Sequence, residues 1–135
     1  MLAIDTETRD AIVAHARADH PDEACGLVAM RAGRPTRLLR MTNTARSPTF
    51  YEMDSGELFA AMKSMRELNE DDDEFVIYHS HTATEAYPSR TDVSIAAYPD
   101  AHYVLVSTRD PDEVEMRSFR IVDGTVTEEP LVVAD

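Results

Sequence analysis

Apolar residues along the chain follow two rhythms, and the change from one to the other marks the elements. Ile12, Val13 and Ala16 share one face at helical spacing. They predict a first helix capped by Thr6 or Thr8 and stopped near His20-Pro21, with Arg9 and Arg17 on its polar face. Gly26-Leu27-Val28-Ala29-Met30 is a continuous apolar run of strand length. With a turn at Ala32-Gly33-Arg34-Pro35 and a partner over Thr36 to Met41, it predicts a β-hairpin. Thr49 to Met53 reads as a further extended piece. Asp54 and Glu57 then have capping-box spacing, opening a second helix in which Leu58, Phe59, Met62, Met65 and Leu68 recur at helical intervals and read as core filling. Phe75-Val76-Ile77-Tyr78 is a short buried strand running into His79. Ser89 to Ala97 predicts a short helix and His102 to Ser107 a central strand. Met116 to Val122 and Val126 to Val133 flank an Asp123-Gly124 turn as closing strands.

This order predicts an α/β fold of the α+β kind, a mixed and mostly antiparallel sheet with helices packed against it. Length is consistent with one domain over residues 1–135, since a chain of 135 residues buries roughly two thirds of its unfolded surface. No internal repeat, low-complexity segment or interdomain linker interrupts it.

Charge narrows the partners. A net charge of -13 excludes nucleic acid as an expected ligand, because phosphate binding requires a basic patch. The acid is partly concentrated in Glu70-Asp71-Asp72-Asp73-Glu74, which reads as a solvated loop, with a docking patch for a basic protein as the sharper alternative. No apolar run approaches a membrane span, and Met1 to Asp19 lacks the basic start and apolar stretch of a signal peptide. A cytoplasmic protein is expected, in keeping with a single cysteine, Cys25. One cysteine builds neither a disulfide nor a Cys-rich zinc cluster, so any metal falls to histidine and carboxylate.

Tyr78-His79-Ser80-His81, followed by Ser89 and Asp92, carries the chemistry. Side chains alternate along a strand, so His79 and His81 share a face while Ser80 points away. Asp92 from the next element supplies an oxygen, giving a three-ligand zinc site with its fourth position open, the arrangement of catalytic rather than structural zinc. Ser89-x-x-Asp92 is also a capping box, so both residues have a purely structural alternative. A hydrolase of this type needs a carboxylate to move protons. Glu23 and Asp22, at the junction of the first helix and first strand, are the candidates, and local spacing favours neither. Cys25 reads as a small buried core residue.

These residues resemble a known family. Glu23, then His79-Ser80-His81, seven residues, Ser89, two residues and Asp92 are similar to the signature of the JAMM (MPN+) zinc metallopeptidases, whose fold is cytidine deaminase-like. The likeness extends over nearly the whole chain. It is strongest to the small bacterial Mec-type peptidases, through Asp19 to Gly26, Ser47-Pro48-Thr49-Phe50-Tyr51 and Tyr78 to Asp92. The resemblance implies one Zn2+ per chain held by His79, His81 and Asp92, Glu23 as general acid/base, and Ser89 stabilising the oxyanion. It further implies cleavage after the C-terminal Gly-Gly of a ubiquitin-like sulfur-carrier protein, releasing cysteine for cysteine biosynthesis. Thr49, Phe50 and Tyr51 are candidate substrate contacts along a strand edge, and Thr82 and Thr84 form a second candidate wall. Three alternatives stand beside this reading: a general deconjugase of ubiquitin-like modifiers, a metal-free MPN-type scaffold, and a zinc nucleobase deaminase. The last requires a Pro-Cys-x-x-Cys element, which a chain with one cysteine lacks. Oligomeric state is not legible in the sequence.

Overall fold

Six strands form one sheet in the order β3-β2-β4-β5-β6-β7 in the computed structural model, which describes residues 1–70 and 74–135. β2 (Cys25–Arg31) and β3 (Arg34–Met41) are the expected hairpin, with Ala32 and Gly33 turning at positive φ. β4 (Val76–His81) pairs antiparallel with β2 and parallel with β5 (His102–Ser107). β6 (Glu115–Val122) and β7 (Thr125–Glu129) add antiparallel strands. The mixed, mostly antiparallel sheet is therefore as the sequence predicts.

Both faces of the central strands are buried, which is why β2, β4 and β5 read as unbroken apolar runs. Leu27, Ala29, Ile77, Tyr103 and Leu105 face one core, shared with α2 (Ser55–Glu67) and α3 (Arg90–Ile95). Val28, Met30, Val76, Tyr78, Val104 and Val106 face the other, shared with Ile12, Val13 and Ala16 of α1 (Thr6–Asp19). A small parallel pair, β1 (Leu2–Ile4) with β8 (Leu131–Val133), closes this second layer. Among the described residues no helix is long and apolar enough to cross a membrane.

Several expectations are corrected. Asp5, not Thr6 or Thr8, caps α1, its carboxylate accepting the Thr8 N–H at 2.7 Å. Thr49 to Met53 is not a strand. One isolated bridge pairs Asn43 with Met53, and the Asn43 side chain takes the hydrogen bonds a sheet neighbour would have offered. In α2 only Ala61 and Met65 are buried, while Phe59 is 73% and Leu68 50% exposed. Asp54 caps this helix, but Glu57 does not reach back to complete a box, since its carboxylate binds the Thr42 N–H and hydroxyl instead. The final strand is two, broken at Pro130, and β8 leaves the main sheet. Of the acidic run, Asp71, Asp72 and Asp73 lie outside the described residues. Glu70 is buried against Arg37 and Glu74 pairs with His102 and Arg120, so neither flank is a merely solvated charge.

Candidate metal centre

Strand alternation places Ile77, His79 and His81 on the face covered by α2 and α3, at the C-terminal end of β4. The ring centroids of His79 and His81 are 5.1 Å apart. α3 begins opposite them. Ser89 is its N-cap and Asp92 its third residue, joined by a reciprocal capping box: Asp92 N–H donates to Ser89 Oγ at 3.0 Å, and Ser89 N–H to Asp92 Oδ2 at 2.8 Å. The cap turns the Asp92 carboxylate toward the histidines. Its Oδ2 lies 3.2 Å from His79 Nε2 and 3.0 Å from His81 Nε2. The structural alternative for Asp92 and its ligand geometry thus coincide in one oxygen.

The hydrogen bonding of the imidazoles fits a cation between them. His81 Nδ1 lies 2.8 Å from the Glu85 carbonyl, which only accepts, so the proton of the neutral ring sits on Nδ1. The Nε2 lone pair then faces a carboxylate oxygen, an arrangement that favours a positive charge shared by both. His79 is 1% exposed; among the described residues its Nδ1 has no hydrogen-bond partner, and its Nε2 faces Asp92 Oδ2 without hydrogen-bond geometry. A buried imidazole left in this state is costly unless it ligates. His79, His81 and Asp92 each offer a ligand atom, all within 4.8 Å of one another, and a two-nitrogen, one-oxygen set suits zinc. Burial lowers the pKa of His79, against the pull of Asp92. Burial also opposes charging of His81, but Asp92 and the Glu85 carbonyl outweigh it and raise that ring's pKa. The Asp92 carboxyl is held well below the usual carboxylate range by both imidazoles despite its burial.

Glu23 precedes β2 and is 4% exposed, and among the described residues its Oε1 has no hydrogen-bond partner. Burial pushes its pKa up to about 7, reinforced by the Asp92 charge and opposed by His81. Asp22, the other candidate, is only half-buried. The backbone at Glu23 is fixed by the loop after β3: its N–H donates to the Ser47 carbonyl at 2.9 Å, and its carbonyl accepts from Asn43 Nδ2 at 3.0 Å.

The candidate substrate residues separate. Tyr51 is buried and stacks on His79, with centroids 4.4 Å apart and 25° between planes. Phe50 is half-buried and Thr49 exposed, its N–H turned into its own loop toward Ser47 Oγ. Thr82 donates to the Pro48 carbonyl at 2.9 Å and so joins the two candidate walls. Thr84 is exposed and takes Ser107 Oγ on its carbonyl. Asn43 was not among the residues singled out from sequence. Its amide makes four hydrogen bonds, to Glu23, Ala45, Phe50 and Glu52. The signal available was an asparagine after a strand, the start of an Asx turn.

The family of prokaryotic homologs of the JAB domain matches residues 5–122. The chain belongs to this JAB family. Among curated relatives, the JAB chain is 61% identical to the CysO-cysteine peptidase of Mycobacterium tuberculosis over 137 aligned residues, covering 100% of this chain and 92% of that protein. It is 32% identical to the desampylase of Haloferax volcanii, covering 78% and 80%. Among solved structures, a Desulfitobacterium hafniense protein superposes with TM-score 0.83 at 30% identity, covering 100% and 94%. A chain described as JAMM, a metalloprotease-like zinc site in the proteasome and signalosome, matches at TM-score 0.62 and 17% identity, covering 100% and 99%, and supports the JAB fold alone.

Proposed function

We propose that this JAB domain, spanning the whole chain, is a zinc peptidase that hydrolyses the bond after the terminal Gly-Gly of a ubiquitin-like sulfur-carrier protein and releases cysteine. The observation that carries the reading is the buried His79, its nitrogens without a hydrogen bond among the described residues, converging with His81 on the Asp92 carboxylate near the buried Glu23. The high identity to the mycobacterial CysO-cysteine peptidase supports the choice of substrate. The deconjugase reading rests on the much more distant desampylase match, and a scaffold has no use for this ligand set.

In this reading His79, His81 and Asp92 would hold one zinc ion, which would supply Lewis acidity and a water of lowered pKa. Glu23 takes the proton from water and delivers it to the leaving amine. A carboxyl whose pKa lies near 7 suits both transfers. Ser89 Oγ accepts from Asp92 N–H, leaving its own O–H to donate to the developing oxyanion. Tyr51, stacked on His79, excludes water from that ring and fixes its orientation.

Metal analysis tests the ligand assignment. The purified protein should hold one zinc per chain after dialysis, and His81→Ala and Asp92→Ala should hold none. Retention of zinc by both variants would refute the assignment.

A further inference from the structure

We infer that Arg46 receives the free α-carboxylate of the released amino acid, and so selects a carrier ending in one amino acid over an isopeptide branch. The inference rests on the proposed peptidase reading and adds a specificity determinant to it.

Arg46 and Glu23 line the same hollow, of about 420 Å³. The other charged groups there are Asp19, Asp22 and His15, so Arg46 is its one permanent cation. Arg46 is exposed, and among the described residues its guanidinium has no carboxylate partner, so it is free to take one from a ligand. The backbone that carries it is specified closely. Arg46 sits at φ 47°, a left-handed conformation that glycine or asparagine adopts with less strain. Its N–H donates to the Asn43 carbonyl, and the next residue, Ser47, accepts the Glu23 N–H. Asn43 also donates to the Glu23 carbonyl. One side chain therefore ties the turn bearing the cation to the backbone of Glu23, whose carboxylate serves the leaving amine.

The substrate's covalent geometry supplies the rest. In a C-terminal amino acid the carboxylate carbon lies about 2.5 Å from the amine nitrogen. Wherever Glu23 meets the leaving nitrogen, the carboxylate arrives close by. Without Arg46 it would enter a hollow lined by Asp19 and Asp22, which repel it. A guanidinium matches a carboxylate with two parallel hydrogen bonds. An isopeptide-linked lysine presents a methylene chain at that position and gives Arg46 nothing to bind.

Two probes separate the outcomes: a ubiquitin-like carrier ending in Gly-Gly-Cys with a free carboxylate, and the same protein ending in the carboxamide. The unaltered zinc-loaded protein should cleave the acid with kcat/KM about 10- to 100-fold above the amide, the range of one charge-assisted contact. In Arg46→Asn, which suits the left-handed backbone and keeps the turn, the ratio should fall to one or below, since Asp19 and Asp22 then repel the acid unopposed. Arg46→Lys should retain an intermediate preference. Calorimetric binding of the two probes to Glu23→Gln reads the same ratio without turnover. Equal handling of acid and amide by the unaltered protein, or an undiminished preference in Arg46→Asn, overturns the inference. Failure to cleave either probe counts against the peptidase reading, and the binding ratio then still decides the role of Arg46.

Discussion

Gly26 and Tyr78 are paired across β2 and β4 so closely that a Cβ on Gly26 would lie 2.4 Å from the Tyr78 ring and hydroxyl. The phenol crosses the neighbouring strand where a side chain would otherwise stand, and its OH lies 2.6 Å from His15 Nδ1 in the second core. Tyr78 immediately precedes His79, so the glycine holds the strand that presents the ligands. Gly26→Ala is expected to destabilise the fold by about 1–3 kcal/mol, the usual cost of overpacking a core. Adding Tyr78→Phe should not restore stability, because ring carbons as well as the hydroxyl obstruct the methyl. Urea unfolding of the single and double variants checks this.

Burial along α2 separates its apolar residues sharply. Met65→Ala should cost about 2–5 kcal/mol, as for a buried methionine, and Phe59→Ala less than about 0.5 kcal/mol, as for an exposed position. Met65 is 1% and Phe59 73% exposed. Denaturation midpoints of the two variants measured side by side provide the comparison.

Ser89 carries two separable contributions. Ser89→Ala removes the acceptor for Asp92 N–H and should cost about 0.5–2 kcal/mol of stability, as for other N-caps. It should also lower kcat by about 10²–10³, as for loss of an oxyanion donor, with zinc content retained. A loss of stability alone, with kcat unchanged, would leave Ser89 only its cap.

His15 makes stability depend on pH. Burial lowers its pKa, the attraction of Asp19 opposing and the charge of Arg40 assisting. The folded protein therefore binds this proton less readily than the unfolded chain, whose imidazole titrates near pH ~6.5. The contribution to stability is complete above that value and is lost as pH falls through it toward the folded pKa. Urea midpoints at pH 7.5 and 5.5 should fall further for the unaltered protein than for His15→Asn. An equal fall would exclude His15 as the source.

The sheet was legible because its central strands are buried on both faces and carry apolar runs, and because Gly33 and the Asp123-Gly124 turn mark its two hairpins. What escaped has particular causes. β1 has three residues and pairs with β8, 127 or more positions away, so no local pattern announces it. Pro130 divides a run whose apolar content looks continuous. Thr49 to Met53 has strand composition, but Asn43 holds it as a loop. In α2 the core-facing stripe runs through the buried Ala61 and Met65 and the half-buried Leu58 and Met62, and Phe59 lies beyond its edge. The shared face of His79 and His81 followed from strand alternation, a local property, whereas Asp92 stood open between cap and ligand until the family resemblance implied it as a ligand. The choice of Glu23 over Asp22 was not local, since burial by a loop more than 20 residues away distinguishes them.

The most direct test is mass spectrometry of a ubiquitin-like sulfur-carrier protein bearing a C-terminal cysteine, incubated with the zinc-loaded protein and separately with Glu23→Gln. Loss of one cysteine residue with the unaltered protein, and none with Glu23→Gln, is the expected result. An unchanged carrier mass in the presence of protein holding one zinc per chain would contradict the proposed reaction.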